Sequence, residues 1–82
     1  MRLRPCPCCG FLTIGEPASY EVCEVCLWED DGQGEDDLEA VRGGPNGAFS
    51  LSQARLNFEQ FGAYDPAKRT LSRKPKPKEL PQ

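Results

Sequence analysis

Apolar residues near the start of the chain form two short runs. Residues 11–14 and 20–22 are rich in β-forming side chains, and residues 15–19 between them contain Gly, Pro and Ser. Short apolar runs bounded by such turn formers are typical of β-strands. The pattern therefore predicts a β-hairpin over residues 11–22.

A different spacing predicts one helix over residues 50–62. Four apolar residues recur there at near-helical intervals, namely Leu51, Ala54, Phe58 and Phe61. Ser50 followed by Gln53 resembles a capping box, and Gly62 suits a C-terminal stop. We expect the apolar face of this helix to pack on Trp28 and the hairpin.

The apolar content of the chain is low for independent folding. Leu, Ile, Val and Phe together number 16 of 82 residues, and eight Gly and eight Pro favour loops. A chain of this length has no room for a large enzyme core, and small domains of this kind commonly need a disulfide or a metal.

Five cysteines within the first 26 residues can supply that constraint. An odd number of cysteines cannot all form disulfides within one chain. Because no apolar signal-peptide core precedes Cys6 and no run reaches membrane-spanning length, we predict a cytoplasmic protein with no membrane association. Structural disulfides are disfavoured in that compartment, so metal ligation is the preferred interpretation.

Two Cys-x-x-Cys units stand 13 residues apart, and they supply four predicted ligands: Cys6, Cys9, Cys23 and Cys26. Such a unit curls into a knuckle that places two sulfurs about 2.3 Å from a shared metal. Gly10 suits the turn after the first knuckle, whereas Leu27 occupies the corresponding position of the second, which we expect to turn by another route. The predicted cofactor is Zn²⁺, with iron as the alternative.

Cys8 lies between the ligands of the first knuckle. We expect its side chain to point away from the metal and to be an inert thiol. A free reactive thiol and an alternative ligand remain open interpretations, since reactivity depends on thiol pKa and access.

No catalytic constellation is visible. The chain has no His, which excludes the common imidazole-ligated catalytic zinc sites and His-assisted nucleophiles, and it has no Gly-rich phosphate loop. We therefore predict that the protein is not an enzyme.

Seven carboxylates fall within residues 29–39. So many acidic residues in a short segment favour a solvent-exposed loop. An EF-hand is excluded, because Val41 or Arg42 occupies the twelfth position, where a Glu is required. Looser cation binding and a basic partner remain alternatives. After Pro66, residues 67–82 carry six Lys or Arg and three Pro, which predicts a basic, disordered tail.

These features together predict a small α+β metal-stabilised domain over residues 1–66. Zinc-ribbon-like knuckles and a β-hairpin come first, followed by an acidic loop at residues 29–49 and the helix at residues 50–62. The tail at residues 67–82 lies outside the domain.

The sequence also resembles a known family, the cysteine-rich CPCC domain proteins. The residues that carry the resemblance are Cys6-Pro7-Cys8-Cys9, residues 20–31, Gly44-Pro45-Asn46, residues 50–58 and Phe61-Gly62. It covers about residues 5–65, and it implies one domain with a metal-binding cysteine set. It also singles out candidates for a shared interaction surface: Trp28, Asp30, Asp31, Asn46, Arg55 and Asn57.

The leading functional hypothesis is a non-catalytic zinc module that binds another protein. One alternative is a nucleic-acid-binding zinc ribbon that uses the basic tail, although the net charge of −3 opposes it. A second alternative is a redox protein with a rubredoxin-like iron site or an exchanging thiol at Cys8.

Overall fold

The computed structural model describes residues 3–81 and contains a two-stranded antiparallel sheet and one α-helix. The strands are β1, Arg4–Pro5, and β2, Leu12–Ile14, and the helix α1 is Leu51–Phe61. Four single 3-10 turns complete the secondary structure, at Glu35–Asp37, Gly44–Asn46, Pro66–Lys68 and Pro77–Glu79. With its four-cysteine cluster, this architecture confirms a small α+β metal-binding class.

The strand pairing differs from the predicted hairpin. Strand β2 pairs with β1 across the first knuckle, with Arg4 opposite Ile14 and Pro5 opposite Leu12. Val22 instead forms a bridge with Glu29 across the second knuckle. The hairpin predicted over residues 11–22 is therefore wrong, because each Cys-x-x-Cys turn brings its own flanking residues together.

The segment at residues 15–21 is a loop organised by one carboxylate. Glu21 accepts hydrogen bonds from the backbone N–H of Gly15 at 3.0 Å and of Glu16 at 2.8 Å, and from the Ser19 hydroxyl at 3.1 Å. These donors, the Glu16 N–H first, hold the pKa of Glu21 below its ordinary value. The Gly, Pro and Ser residues of the sequence thus form a capped loop between two knuckles.

The helix is confirmed together with its ends. The Ser50 hydroxyl caps the first turn by accepting from the Gln53 N–H at 3.0 Å. Gly62 takes the left-handed conformation at φ 81° and donates to the Phe58 carbonyl. The capping box is half formed, because the Gln53 side chain donates to Asn57 instead of reaching back to Ser50.

Trp28 occupies the centre of the core and is fully buried. Its ring packs edge to face on Tyr64 at 5.7 Å, and α1 contributes Leu51 and Ala54 to the same cluster. Phe61 remains 42% exposed. The buried face of the helix is therefore narrower than the spacing of the apolar residues in the sequence predicts.

The acidic run is packed in part, which corrects the prediction of a solvated loop. Asp30 and Asp31 are buried, at 4% and 6% exposure. Asp30 accepts from the Ala18 N–H at 2.9 Å, and Asp31 accepts from the Gln33 N–H at 3.1 Å. These carboxylates are buried because backbone donors satisfy them.

The C-terminal segment also departs from the prediction of a disordered tail, since it contains a 3-10 turn at Pro77–Glu79 and Arg73 pairs with Glu24 of the second knuckle at 3.2 Å. Glu79 is 5% exposed, and Arg73 bonds both of its carboxylate oxygens at 2.8 Å. Pro66 and Pro77 each begin a 3-10 turn, a position that tolerates a missing N–H. The prolines therefore shape the segment.

Among the described residues 3–81, no helix has the length and apolar character needed to cross a membrane.

Candidate metal centre

The two knuckles fold in the same way. The Gly10 N–H donates to the Cys6 carbonyl at 2.9 Å, and the Leu27 N–H donates to the Cys23 carbonyl at 2.8 Å. Both donors are left-handed, with φ 83° at Gly10 and φ 73° at Leu27. The expectation of another route for the second knuckle is wrong, because Leu27 adopts the conformation that Gly10 takes without steric cost.

The structure brings the four predicted sulfurs together. The Sγ atoms of Cys6, Cys9, Cys23 and Cys26 all lie within 4.8 Å of one another. The contacts between knuckles are 3.6 Å for Cys6 to Cys26 and 3.7 Å for Cys9 to Cys23. These distances are far beyond a disulfide bond of about 2.05 Å. They fit a tetrahedral edge of about 3.8 Å, which follows from metal–sulfur bonds of about 2.3 Å.

Hydrogen bonds favour the thiolate form at Cys23. The Thr13 hydroxyl donates to its sulfur at 3.0 Å, and the Cys26 N–H approaches it at 3.5 Å. Hydrogen bonding from the Cys26 thiol is the main cause that lowers the pKa of Cys23, and the same contact raises the pKa of Cys26.

The donor set is uniform and enclosed. Cys6, Cys23 and Cys26 are buried and Cys9 is half-buried. Within residues 3–81 this is the single group of ligating side chains close enough together to hold an ion. Four sulfur donors fit a soft or borderline metal such as zinc or iron, and they do not suit magnesium or calcium.

Cys8 is a free thiol and lies in the core at 7% exposure. It is not one of the four clustered residues, although, after Cys23 and Cys6, it contributes to the raised pKa of Cys26. Its burial removes the access that a reactive surface thiol requires.

Five of the six residues proposed for a shared surface lie in the interior. The buried five are Trp28, Asp30, Asp31, Asn46 and Asn57. Asn46 shows why: its amide accepts from the Glu29 N–H at 3.0 Å and donates to the Glu29 carbonyl at 2.7 Å. The Gly-Pro-Asn motif therefore braces the chain after the second knuckle.

Arg55 is the sixth of these residues and is half-buried. Its Nε donates to the Pro7 carbonyl in the first knuckle at 2.9 Å, and its Nη2 meets Glu35 at 3.0 Å. Arg55 thus ties α1 to the cysteine cluster. Local sequence patterns do not indicate the contact with Pro7, because 48 residues separate Pro7 from Arg55.

The family model described as Cysteine-rich CPCC matches residues 4–79. This match extends beyond residues 5–65, where the sequence resemblance ended, and it includes the C-terminal segment that packs on the domain. A search of curated proteins finds no match.

Proposed function

The chain belongs to the cysteine-rich CPCC family, and from that premise we propose that it is a non-catalytic zinc-binding module. In this proposal its four-cysteine site is structural and its folded surface binds another protein. The observation that carries the proposal is the convergence of four sulfurs within 4.8 Å at the tips of two similar knuckles.

A structural role for the metal agrees with the thin core. A structural zinc contributes about 10–16 kcal/mol in small peptides, whereas whole domains are stable by about 5–15 kcal/mol. The cysteines themselves form much of the buried cluster, next to Trp28, Ile14 and Val25. Zinc bound there would hold the two knuckles together, in a zinc-ribbon-like arrangement.

A non-catalytic role follows from the donors. Cys6, Cys9, Cys23 and Cys26 can fill all four positions of a tetrahedral ion, which leaves none for water or substrate. Catalytic zinc sites keep one such position open.

A protein partner is favoured over nucleic acid by charge. The formal charge is −3, and four thiolates around Zn²⁺ make it about two units more negative. Such a domain repels a phosphate backbone at most of its surface.

Metal analysis and unfolding test the metal part. Purified protein is expected to hold one zinc per chain and to unfold when the zinc is chelated. A protein that stays folded without metal would contradict a structural site. A red, iron-containing protein as isolated would favour the rubredoxin-like alternative.

Affinity capture from the native cell tests the binding part. Zinc-loaded wild type is the bait, and a Cys9→Ser variant is the matched control with a broken site. A protein retained by the wild type alone supports recognition of the folded surface. Retention of nucleic acid that disappears as salt is raised would favour the alternative function.

A further inference from the structure

An apolar cavity of about 320 Å³ lies between the second knuckle, α1 and the C-terminal segment. Its lining includes Phe11, Val25 and Phe58 on one side and Ser72, Arg73 and Lys74 on the other. This volume is at the lower end of ligand pockets, which suits one bulky side chain better than a large ligand.

The apolar wall belongs to the folded core. Phe11 and Phe58 pack edge to face with ring centroids 6.2 Å apart, and both remain partly exposed. Val25 lies between the two cysteines of the second knuckle and is 1% exposed. Two aromatic rings beside a rigid knuckle provide a preformed surface for an apolar anchor.

The opposite wall is held by an ion-pair latch. Arg73 bonds both oxygens of Glu79 at 2.8 Å and meets Glu24 of the second knuckle at 3.2 Å. The bidentate bond to a buried carboxylate fixes the guanidinium in place. The latch thus holds residues 72–75 over the cavity.

The rim of this wall is basic. Lys74 is exposed and has no carboxylate within ion-pair distance among residues 3–81. Exposed Lys76 and Lys78 follow shortly along the same segment and are likewise without an ion pair in the described chain. A ligand seated here therefore meets apolar surface inside and positive charge at the edge.

We propose that this cavity is the docking site of a short peptide segment of a partner protein, with one aromatic or large aliphatic anchor flanked by acidic residues. This inference rests on the proposed function and names the class of partner. The anchor packs against Phe11 and Phe58, while its acidic neighbours approach Lys74.

A peptide suits the site better than nucleic acid. One anchor with a few carboxylates can remain on the Lys74 side of the cavity. The phosphate backbone of a nucleic acid would have to run past Glu24, whose side chain is 76% exposed, and past the proposed zinc site with its four thiolates, which carries a net negative charge.

The test uses zinc-loaded, isotope-labelled full chain and synthetic probes followed by amide NMR shifts. The first probe has one central phenylalanine with two acidic residues on each side; the others replace the phenylalanine with alanine, or the acidic residues with lysine. An oligothymidine probe and a dilution series report nucleic-acid binding and self-association. The expected result is shifts confined to residues around the cavity, with about tenfold weaker binding by the alanine probe.

Two variants locate the binding. Lys74→Glu is expected to weaken binding of the acidic probe about fivefold. Arg4→Glu is the matched control: it makes the same charge change at an exposed residue that lines a different cavity, so binding should be retained. Ser72→Leu is expected to occupy the cavity and remove binding while the protein stays folded.

Equal binding by the phenylalanine and alanine probes would overturn the proposal. So would a preference for oligothymidine, shifts caused by self-association, or the absence of binding by any probe. A captured partner that shifts only the amide signals of residues away from the cavity would refute the docking site and leave the proposed function intact. A protein that stays folded when its zinc is chelated would instead refute the proposed function.

Discussion

The Thr13 hydroxyl donates a hydrogen bond to the Cys23 sulfur over 3.0 Å, which links strand β2 to the second knuckle. Donors to a ligating atom orient it and tune its affinity for the metal. Thr13 is thus placed to support the site from the strand that follows the first knuckle.

We predict that Thr13→Val lowers zinc affinity by about tenfold, because loss of such a donor typically costs 10–100-fold. Valine keeps the shape and β-branching of threonine but removes the donor. Competition with a chromophoric chelator measures the effect, and Thr13→Ser is the control that restores the hydroxyl. Equal affinities for valine and wild type would show that the hydrogen bond does not act on the metal.

Cys8 and Cys9 provide a matched pair of substitutions at adjacent positions. Cys9→Ser should lose stoichiometric zinc and the cooperative fold, since it removes one of four clustered sulfurs. Cys8→Ser should keep one zinc per chain, because Cys8 lies outside that cluster. Metal content after gel filtration measures both, and a Cys8 variant without zinc would identify Cys8 as a ligand.

The spacing of the cysteines was sufficient to predict which sulfurs converge, since a Cys-x-x-Cys turn has one favourable local geometry. The helix was predictable for a similar reason: Ser50 and Gly62 act on the backbone within a few residues of themselves. Local rules of this kind do not depend on the rest of the fold.

Contacts that depend on how the surrounding chain folds were not predictable in this way. Asp30 is buried because it meets the Ala18 N–H, a donor 12 residues away that charge patterning does not reveal. The latch between Arg73 and Glu79 joins two side chains whose meeting depends on the turn begun by Pro77. Composition alone therefore indicated a solvated loop and a disordered tail.

Substitutions at two glycines measure how much the left-handed backbone conformation in the first knuckle costs in free energy of unfolding. Gly10→Ala should destabilise the zinc-loaded protein by about 1–2 kcal/mol, because φ is 83° there and the left-handed region is costly for alanine. A Cβ at Gly10 would meet no atom within 4 Å, so the effect is conformational.

Gly34→Ala is the control for this experiment. A Cβ at Gly34 also meets nothing within 4 Å, but its φ of −156° is extended and suits any residue. Urea unfolding of both variants gives the comparison. Equal stabilities would mean that the knuckle does not need a left-handed residue at Gly10.

The latch provides the last prediction. Hydrogen bonds from Arg73, followed by the Lys76 N–H, lower the pKa of Glu79 to about 2 from its ordinary value of 4.5. A lowered folded-state pKa means that the carboxylate stabilises the protein above pH 4.5, and that this contribution is lost as the pH falls toward 2. Glu79→Gln should therefore destabilise the C-terminal segment equally at pH 7 and pH 5.

Limited trypsin digestion of this segment is the direct measurement, with cleavage after Arg69 and Arg73 expected to accelerate in the Glu79→Gln variant, since neither residue is followed by proline. Glu59→Gln is the matched control, since Glu59 is exposed on α1 and has no ion pair among residues 3–81. An effect of Glu79→Gln that shrinks between pH 7 and pH 5 would contradict the lowered pKa. Equal cleavage of Glu79→Gln and Glu59→Gln would show that the latch does not hold the segment on the domain.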